Sequence, residues 1–198
     1  AQTNSCGECG IRIALFSTMI PATSHHEDLT TFKKLSNLAP HSNLDIRQLK
    51  QPVQQVIAAW QQGAIVAIKG IGGFLLTCDA TQTEAVATLR RRKQRPTKPF
   101  AMMYPDLATL LTDAEVTEAA AQQLQSPAAP IVLLDMKESP LSGFDRAGIA
   151  PGLHKIGAML PNAPLFELLL RDFGKPIVAT SGNISHAPLI YEDETAQH

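Results

Sequence analysis

The chain has little of what usually announces a function. Three cysteines in 198 residues, Cys6, Cys9 and Cys78, cannot complete a disulfide framework, and no charged-apolar-small leader opens the chain. A reducing, cytoplasmic setting is therefore expected. Apolar runs are short: "PLFELLL" at 164–170 falls far below the roughly 20 residues a helix needs to cross a bilayer. Aromatics make up 5% and net charge is −1, which argues against stacking platforms and a broad basic face for nucleic acid. The glycine-rich "KGIGGF" at 69–74 fits neither the P-loop nor the G-x-G-x-x-G pattern. His154 and His186 have no Ser, Asp or Cys arranged with them as a triad.

What is present is 44% hydrophobic residues, enough for one substantial core with a small appendage. Residues 1–50 are polar, with brief periodicity at "IRIALF" (11–16), and read as an appendage carrying a short strand. From Pro52, Val53, Val56, Ile57 and Trp60 fall at helical spacing, with Pro52 near the first turn and Gly63 after the last. Strands are expected at 64–70, 72–80, 99–104 and 130–136. A helix capped by Thr81 or Thr83 should carry Ala85, Val86 and Leu89 on one face. Helical segments are expected at "PDLATLL" and "TDAEVTEAAAQQL", a Pro/Gly-rich loop at roughly 138–157, then the helix "PLFELLLRDF" and the strand "PIVATSGN". Mixed strands and helices at this length imply an α/β domain with one or both sheet faces covered.

Three polar turns adjoin these strands. "KGIGGF" follows "AIVAI", "TSGN" (180–183) follows "PIVA", and "RRKQRPTKP" (91–99) leads into "FAMM". In α/β proteins ligands gather beyond strand ends, where glycine lets backbone N–H groups approach an anion. The three turns could converge on one polyanion; taken singly, each is ordinary loop chemistry. Six cations crowd 90–98. One helix cannot aim Arg90, Arg91 and Arg92 at one point, so at least some of them are expected in solvent, and the three are read mainly as a charged helix end. Cys6-x-x-Cys9 is half of a zinc site, and His25, His26 and His41 lack the spacing of a second half. Cys78, inside an apolar strand, is expected in the core.

The motifs "KGIGGFLLTCDATQTEAVATLRRRKQRPTKPFAMM", "SPAAPIVLL", "IAPGLHKIGAMLPNAPLFELLL" and "PIVATSGNISHAPL" resemble, in this order, the YrdC-like domain of the hydrogenase-maturation carbamoyltransferase family, HypF. The likeness runs from about Gln55 to Ile190. It implies an α/β fold, a YrdC-like twisted mixed sheet flanked by helices. It also implies a division into 1–50, an appendage that is a remnant of a zinc-finger region, with its last half-site at Cys6 and Cys9, and a linker, and 51–198, a YrdC-like nucleotide-binding domain cut short at its C-terminal end. With Ala1 in place of Met, the chain reads as a piece of a longer polypeptide.

The implied chemistry is ATP-dependent formation of carbamoyl-adenylate from carbamate, itself derived from carbamoyl phosphate. The carbamoyl group then passes through a downstream domain to a cysteine of a carrier protein, for the cyanide ligand of nickel–iron hydrogenase. ATP and Mg²⁺ are the implied cofactors, with Zn²⁺ in the intact polypeptide; the isolated piece is expected to be inactive in the full reaction. Lys93 and Arg95 match the family's K-x-R-x-x-K-P motif as catalytic cations. Lys69, Gly72, Gly73, Lys98, Thr180, Ser181 and Asn183 are implied to bind nucleotide and substrate. Leu75 and Phe166 stand where the family commonly has histidine. Two readings compete: threonylcarbamoyl-adenylate synthesis for tRNA modification, and a non-catalytic module holding double-stranded RNA. "KGIGGF" in place of P-T-x-T-x-Y-G-L argues against the first, and neutral charge with few aromatics against the second.

Overall fold

The computed structural model describes residues 46–70 and 72–183, with the backbone of two short segments before them. Those segments, β1 (Phe16–Thr18) and β2 (Phe32–Lys34), pair antiparallel. Residues 11–15 of the expected first strand lie outside the described residues. The helix expected from Pro52 is α1, Ile46–Gln61, so Pro52 lies inside it and not in its first turn. The preceding "IRQLK" is made of residues that sit well in helices, and Pro52 removes one hydrogen bond from a helix anchored further on. That anchor is the expected stripe: Val53, Val56, Ile57 and Trp60 are all buried.

A seven-stranded sheet follows, built from β3 (Val66–Gly70), β4 (Gly73–Asp79), β5 (Ala101–Met103), β6 (Ala114–Glu115), β7 (Val132–Met136), β8 (Lys155–Met159) and β9 (Ile177–Ser181). Its order is β3-β4-β9-β5-β8-β7-β6, antiparallel throughout except for the β5–β8 pair. Side chains alternate between faces, and each face has its own core. Along β9, Ile177 and Ala179 join Trp60, Phe166, Leu169 and Leu170, beneath α1 and α6 (Pro164–Phe173). Val178 between them faces the opposite cluster with Val86, Leu89, Leu110 and Ile149, under α2 (Thr83–Arg92), α3 (Leu107–Asp113) and α5 (Arg146–Ile149). Helices thus cover both faces. Cys78 sits in the second core, fully buried as expected.

Three expectations are corrected. Neither Thr81 nor Thr83 caps α2: its N-cap is Gln82, and the Thr81 hydroxyl and N–H both donate to Asp79 Oδ1, at 2.7 and 2.8 Å. The segment 112–124 is no continuous helix. Asp113 is wholly buried, accepting bonds from Tyr104 and Ser142, β6 pairs with β7, and Thr117 then caps α4 (Glu118–Leu124) by accepting from Ala120 N–H. The supposed loop 138–157 contains α5 and the start of β8. Gly157 disguised that strand; a Cβ there would lie 3.0 Å from Cγ2 of the exposed Ile131 side chain, a tight approach that this side chain would have to yield to.

Candidate functional site

Topology determines where the three turns go. β9 is antiparallel to both its neighbours, β4 and β5, so it ends at the sheet edge where those two begin. The Gly70–Gly73 turn leads into β4, the 93–99 connection leads into β5, and 180–183 leaves β9. All three meet at one end of the sheet, as the sequence suggested.

Contacts between them are direct. Ser181 pairs with Leu75, and Gly182 N–H donates to Phe74 C=O at 2.6 Å. Gly73 has φ +137°, a conformation side-chain-bearing residues rarely adopt; Gly72 is exposed on the same turn. Lys69, also exposed, places Nζ 5.6 Å from the Phe74 ring centroid. Lys93, the C-cap of α2, donates from Nζ to Ser181 C=O at 2.5 Å and Asn183 C=O at 3.2 Å. β9 alternation turns Thr180 toward the α2 side, where its hydroxyl accepts from Arg95 Nη1 at 3.1 Å. Arg95 also donates to Pro99 C=O (2.6 Å) and Lys98 C=O (3.2 Å). The Ser181 hydroxyl donates to Asn183 Oδ1 at 2.6 Å.

Electrostatics follow from this crowding. Burial, then Arg95, then Lys98 hold the Lys93 ammonium below the usual lysine value; Arg95 is lowered by burial and by Arg90. Cations that depress one another at a strand end, close to glycine turns, form a place where an anion is favoured.

Of the three arginines at the end of α2, two are solvated as expected and Arg90 departs from that reading. Arg91 and Arg92 are exposed, and Arg91 reaches only Thr88 Oγ1. Arg90 turns inward: Nε and Nη2 donate to Gly148 C=O, Nη2 also to Ile149 C=O, and Nη1 to the Arg95 and Lys98 carbonyls. Its guanidinium lies over Phe100, 4.6 Å from the centroid, and Arg95 lies 5.1 Å from the same ring. Periodicity carried the signal, since Arg90 is four residues beyond buried Val86 and shares its face. Leu75 and Phe166 adjoin the site as apolar packing. Phe166 is wholly buried, with Cε2 3.6 Å from the position of a Cβ on Gly70. Cys6 and Cys9 lie outside the described residues. Among those described, no three His, Cys, Asp or Glu are grouped to hold a metal ion, and no helix is long and apolar enough to cross a membrane.

A mixed seven-stranded sheet with helices on both faces and a cationic cluster at one strand end defines a YrdC-like domain. The chain belongs to the Sua5–YciO–YrdC family, described as telomere recombination, which matches residues 58–198. It is 46% identical over 142 residues to the carbamoyltransferase HypF of Rhodobacter capsulatus, covering 71% of this chain and 18% of that protein. To the threonylcarbamoyl-AMP synthase of Vibrio vulnificus it is 31% identical, covering 67% and 72%. A crystal structure of full-length HypF in the phosphate- and nucleotide-bound form superposes with TM-score 0.69 at 44% identity, over 73% of this chain and 19% of that one. The chain thus spans about a fifth of the length of its carbamoyltransferase relatives.

Proposed function

We propose that this chain is the carbamoyl-adenylating part of a carbamoyltransferase, with ATP and carbamate as substrates. The reach of Lys93 and Arg95 across to Thr180–Asn183 carries the reading. A carbamate oxygen attacks the α-phosphorus of ATP; a new P–O bond forms, the bond to the bridging oxygen breaks with its electron pair, and pyrophosphate leaves. Both reactants are anions, and two like unit charges 4 Å apart repel by about 4 kcal/mol at an effective dielectric of about 20. Lys93, Arg95 and Lys98 offset that repulsion. The bonds of the first two to the 180–183 turn and the connection's carbonyls hold them in place before ligand arrives, so little reorganisation is left for the reaction.

Lys93 and Arg95 are therefore the catalytic residues. Lys69, Gly72, Gly73 and Lys98 bind phosphate, and Thr180, Ser181 and Asn183 orient ribose or carbamate. The described residues offer no carboxylate cage for Mg²⁺, which enters only as the ion accompanying the triphosphate. Zn²⁺ would belong to Cys6 and Cys9 in a longer polypeptide. In that polypeptide, in the cytoplasm, carbamoyl phosphate is the donor. A downstream domain passes the group to a hydrogenase-maturation carrier cysteine, and the chain alone binds ATP without completing transfer.

The test is carbamoyl-phosphate-dependent release of pyrophosphate from ATP by the intact polypeptide. Lys93→Ala and Asn183→Ala should each slow it at least about tenfold, the scale of losing a charge-assisted contact. Unchanged turnover in both rejects the site. The likeness to the V. vulnificus enzyme supports a second reading, threonylcarbamoyl-adenylate synthesis; pyrophosphate release requiring L-threonine and bicarbonate would select it.

A further inference from the structure

We propose that Arg90 is the positioning residue of this site: it holds the 93–99 connection in the shape that delivers Lys93 and Arg95 to the Thr180–Asn183 turn. The inference rests on the nucleotide-binding reading above and adds to it a residue that touches no substrate.

The donor inventory is the argument. A guanidinium has five N–H donors in a rigid fork. Arg90 makes five donor contacts: two to Gly148 C=O, and one each to the carbonyls of Ile149, Arg95 and Lys98. None is left for a phosphate. The recipients lie on two segments, α5 and the connection, so a single planar group joins them. Backbone bonds reinforce the junction: Phe100 N–H donates to Ile149 C=O at 2.9 Å, and Arg95 N–H to Arg90 C=O at 3.1 Å. α5 is itself fixed, since Asp145 caps it by accepting from Gly148 N–H at 3.0 Å. A Cβ on Gly148 would lie 2.1 Å from Asp145 Oδ2 and 2.9 Å from Val86 Cγ1, so a side chain here would collide with the cap and with α2.

The far end of the connection then has few options. With the Arg95 and Lys98 carbonyls held by Arg90, the Arg95 side chain leaves the loop beside Phe100 and reaches Thr180. Burial is the main reason the Arg90 guanidinium sits below its usual pKa, with Asp145 opposing that shift. Guanidinium tolerates this placement because it stays charged and spreads its bonds over several acceptors. A lysine would bring one compact charge and could not fork across both segments.

The experiment uses the full 198-residue chain and its Arg90→Ala, Arg90→Lys, Arg95→Ala and Arg90→Ala/Arg95→Ala variants. ATP affinity is measured by titration calorimetry, and amide hydrogen exchange is followed at Arg95, Phe100 and the β7–β8 pair. Arg90→Ala should weaken ATP binding at least about tenfold and speed exchange at Arg95 and Phe100, with β7–β8 exchange unchanged. Arg90→Lys should not restore affinity. In the Arg95→Ala background the Arg90 change should cost less than it does alone, because the part of its effect that runs through Arg95 is already lost and the part that runs through Lys93 remains. Wild-type affinity in Arg90→Ala, additive losses in the double variant, or equal acceleration in β7–β8 would overturn the proposal. If the unsubstituted chain binds no ATP, the nucleotide reading fails separately. Unchanged exchange at Arg95 and Phe100 in Arg90→Ala would then refute the positioning role by itself.

Discussion

Gly182→Ala probes how tightly the turn after β9 is locked to β4. A Cβ on Gly182 would lie 2.8 Å from Phe74 O, 3.0 Å from Phe74 Cβ and 3.2 Å from Phe74 C. None of these atoms can swing aside by side-chain rotation, so the turn and the strand must separate by several tenths of an ångström. Gly182 is not among the positive-φ glycines, which leaves the clash as the sole penalty. Separation breaks the 2.6 Å bond from Gly182 N–H to Phe74 C=O. A net hydrogen bond contributes about 1 kcal/mol, and overpacking of this kind costs about 1–3 kcal/mol. Together they give a loss of about 2–4 kcal/mol, or about 5–15 °C in Tm for a domain of this size. The same shift moves the Ser181 and Asn183 carbonyls that hold Lys93, so ATP affinity should fall as well. Thermal unfolding followed by circular dichroism reads the first effect and calorimetric titration the second. A variant melting within about 1 °C of the parent would show that the turn has slack, and the clash argument would be wrong.

Two further outcomes follow from burial and charge. Lys93 is held below its ordinary value of 10.5 by burial and by Arg95 and Lys98, and only its protonated form attracts phosphate. ATP affinity should therefore decline as pH rises while ordinary lysines are still charged, and Lys93→Ala should remove that decline; a flat profile up to the usual lysine range refutes it. The linkage has the matching sign: between the lowered pKa and 10.5 the unfolded chain binds more protons, so this group's contribution to stability rises with pH across that window. Cys78 is fully buried, and burial with help from Asp79 pushes its thiol up to about 12. Iodoacetamide with peptide mass mapping should leave Cys78 unmodified in the native chain and label it in denaturant; labelling of the native protein at the rate of a free thiol contradicts the packing.

How far the sequence was legible depended on periodicity. Val53, Val56, Ile57 and Trp60 revealed α1, and Phe166, Leu169, Leu170 and Phe173, between Pro164 and Gly174, revealed α6, because their apolar stripes are long and bounded by proline or glycine. β8 was hidden behind Pro151, Gly152 and Gly157, although buried Ile156 and Ala158 alternate as a strand should. The break at Asp113 was invisible, because what ends α3 is a buried carboxylate held by Tyr104, just before the helix, and by Ser142, from a loop 29 residues further on. At the site the three turns could be found in order along the chain, and the antiparallel placement of β9 brought them together. Arg90 was misread because a run of arginines looks uniform in sequence, whereas a helix turns one toward the core and leaves the next two in solvent.

Backbone NMR of the chain titrated with ATP tests the central claim most directly. Shifts should concentrate at Lys93, Arg95, Lys98, Gly72, Gly73 and Thr180–Asn183, and vanish with Lys93→Ala in an otherwise native spectrum. Shifts centred on the β6–β7 end of the sheet, or none in the cationic cluster at saturating ATP, would contradict it.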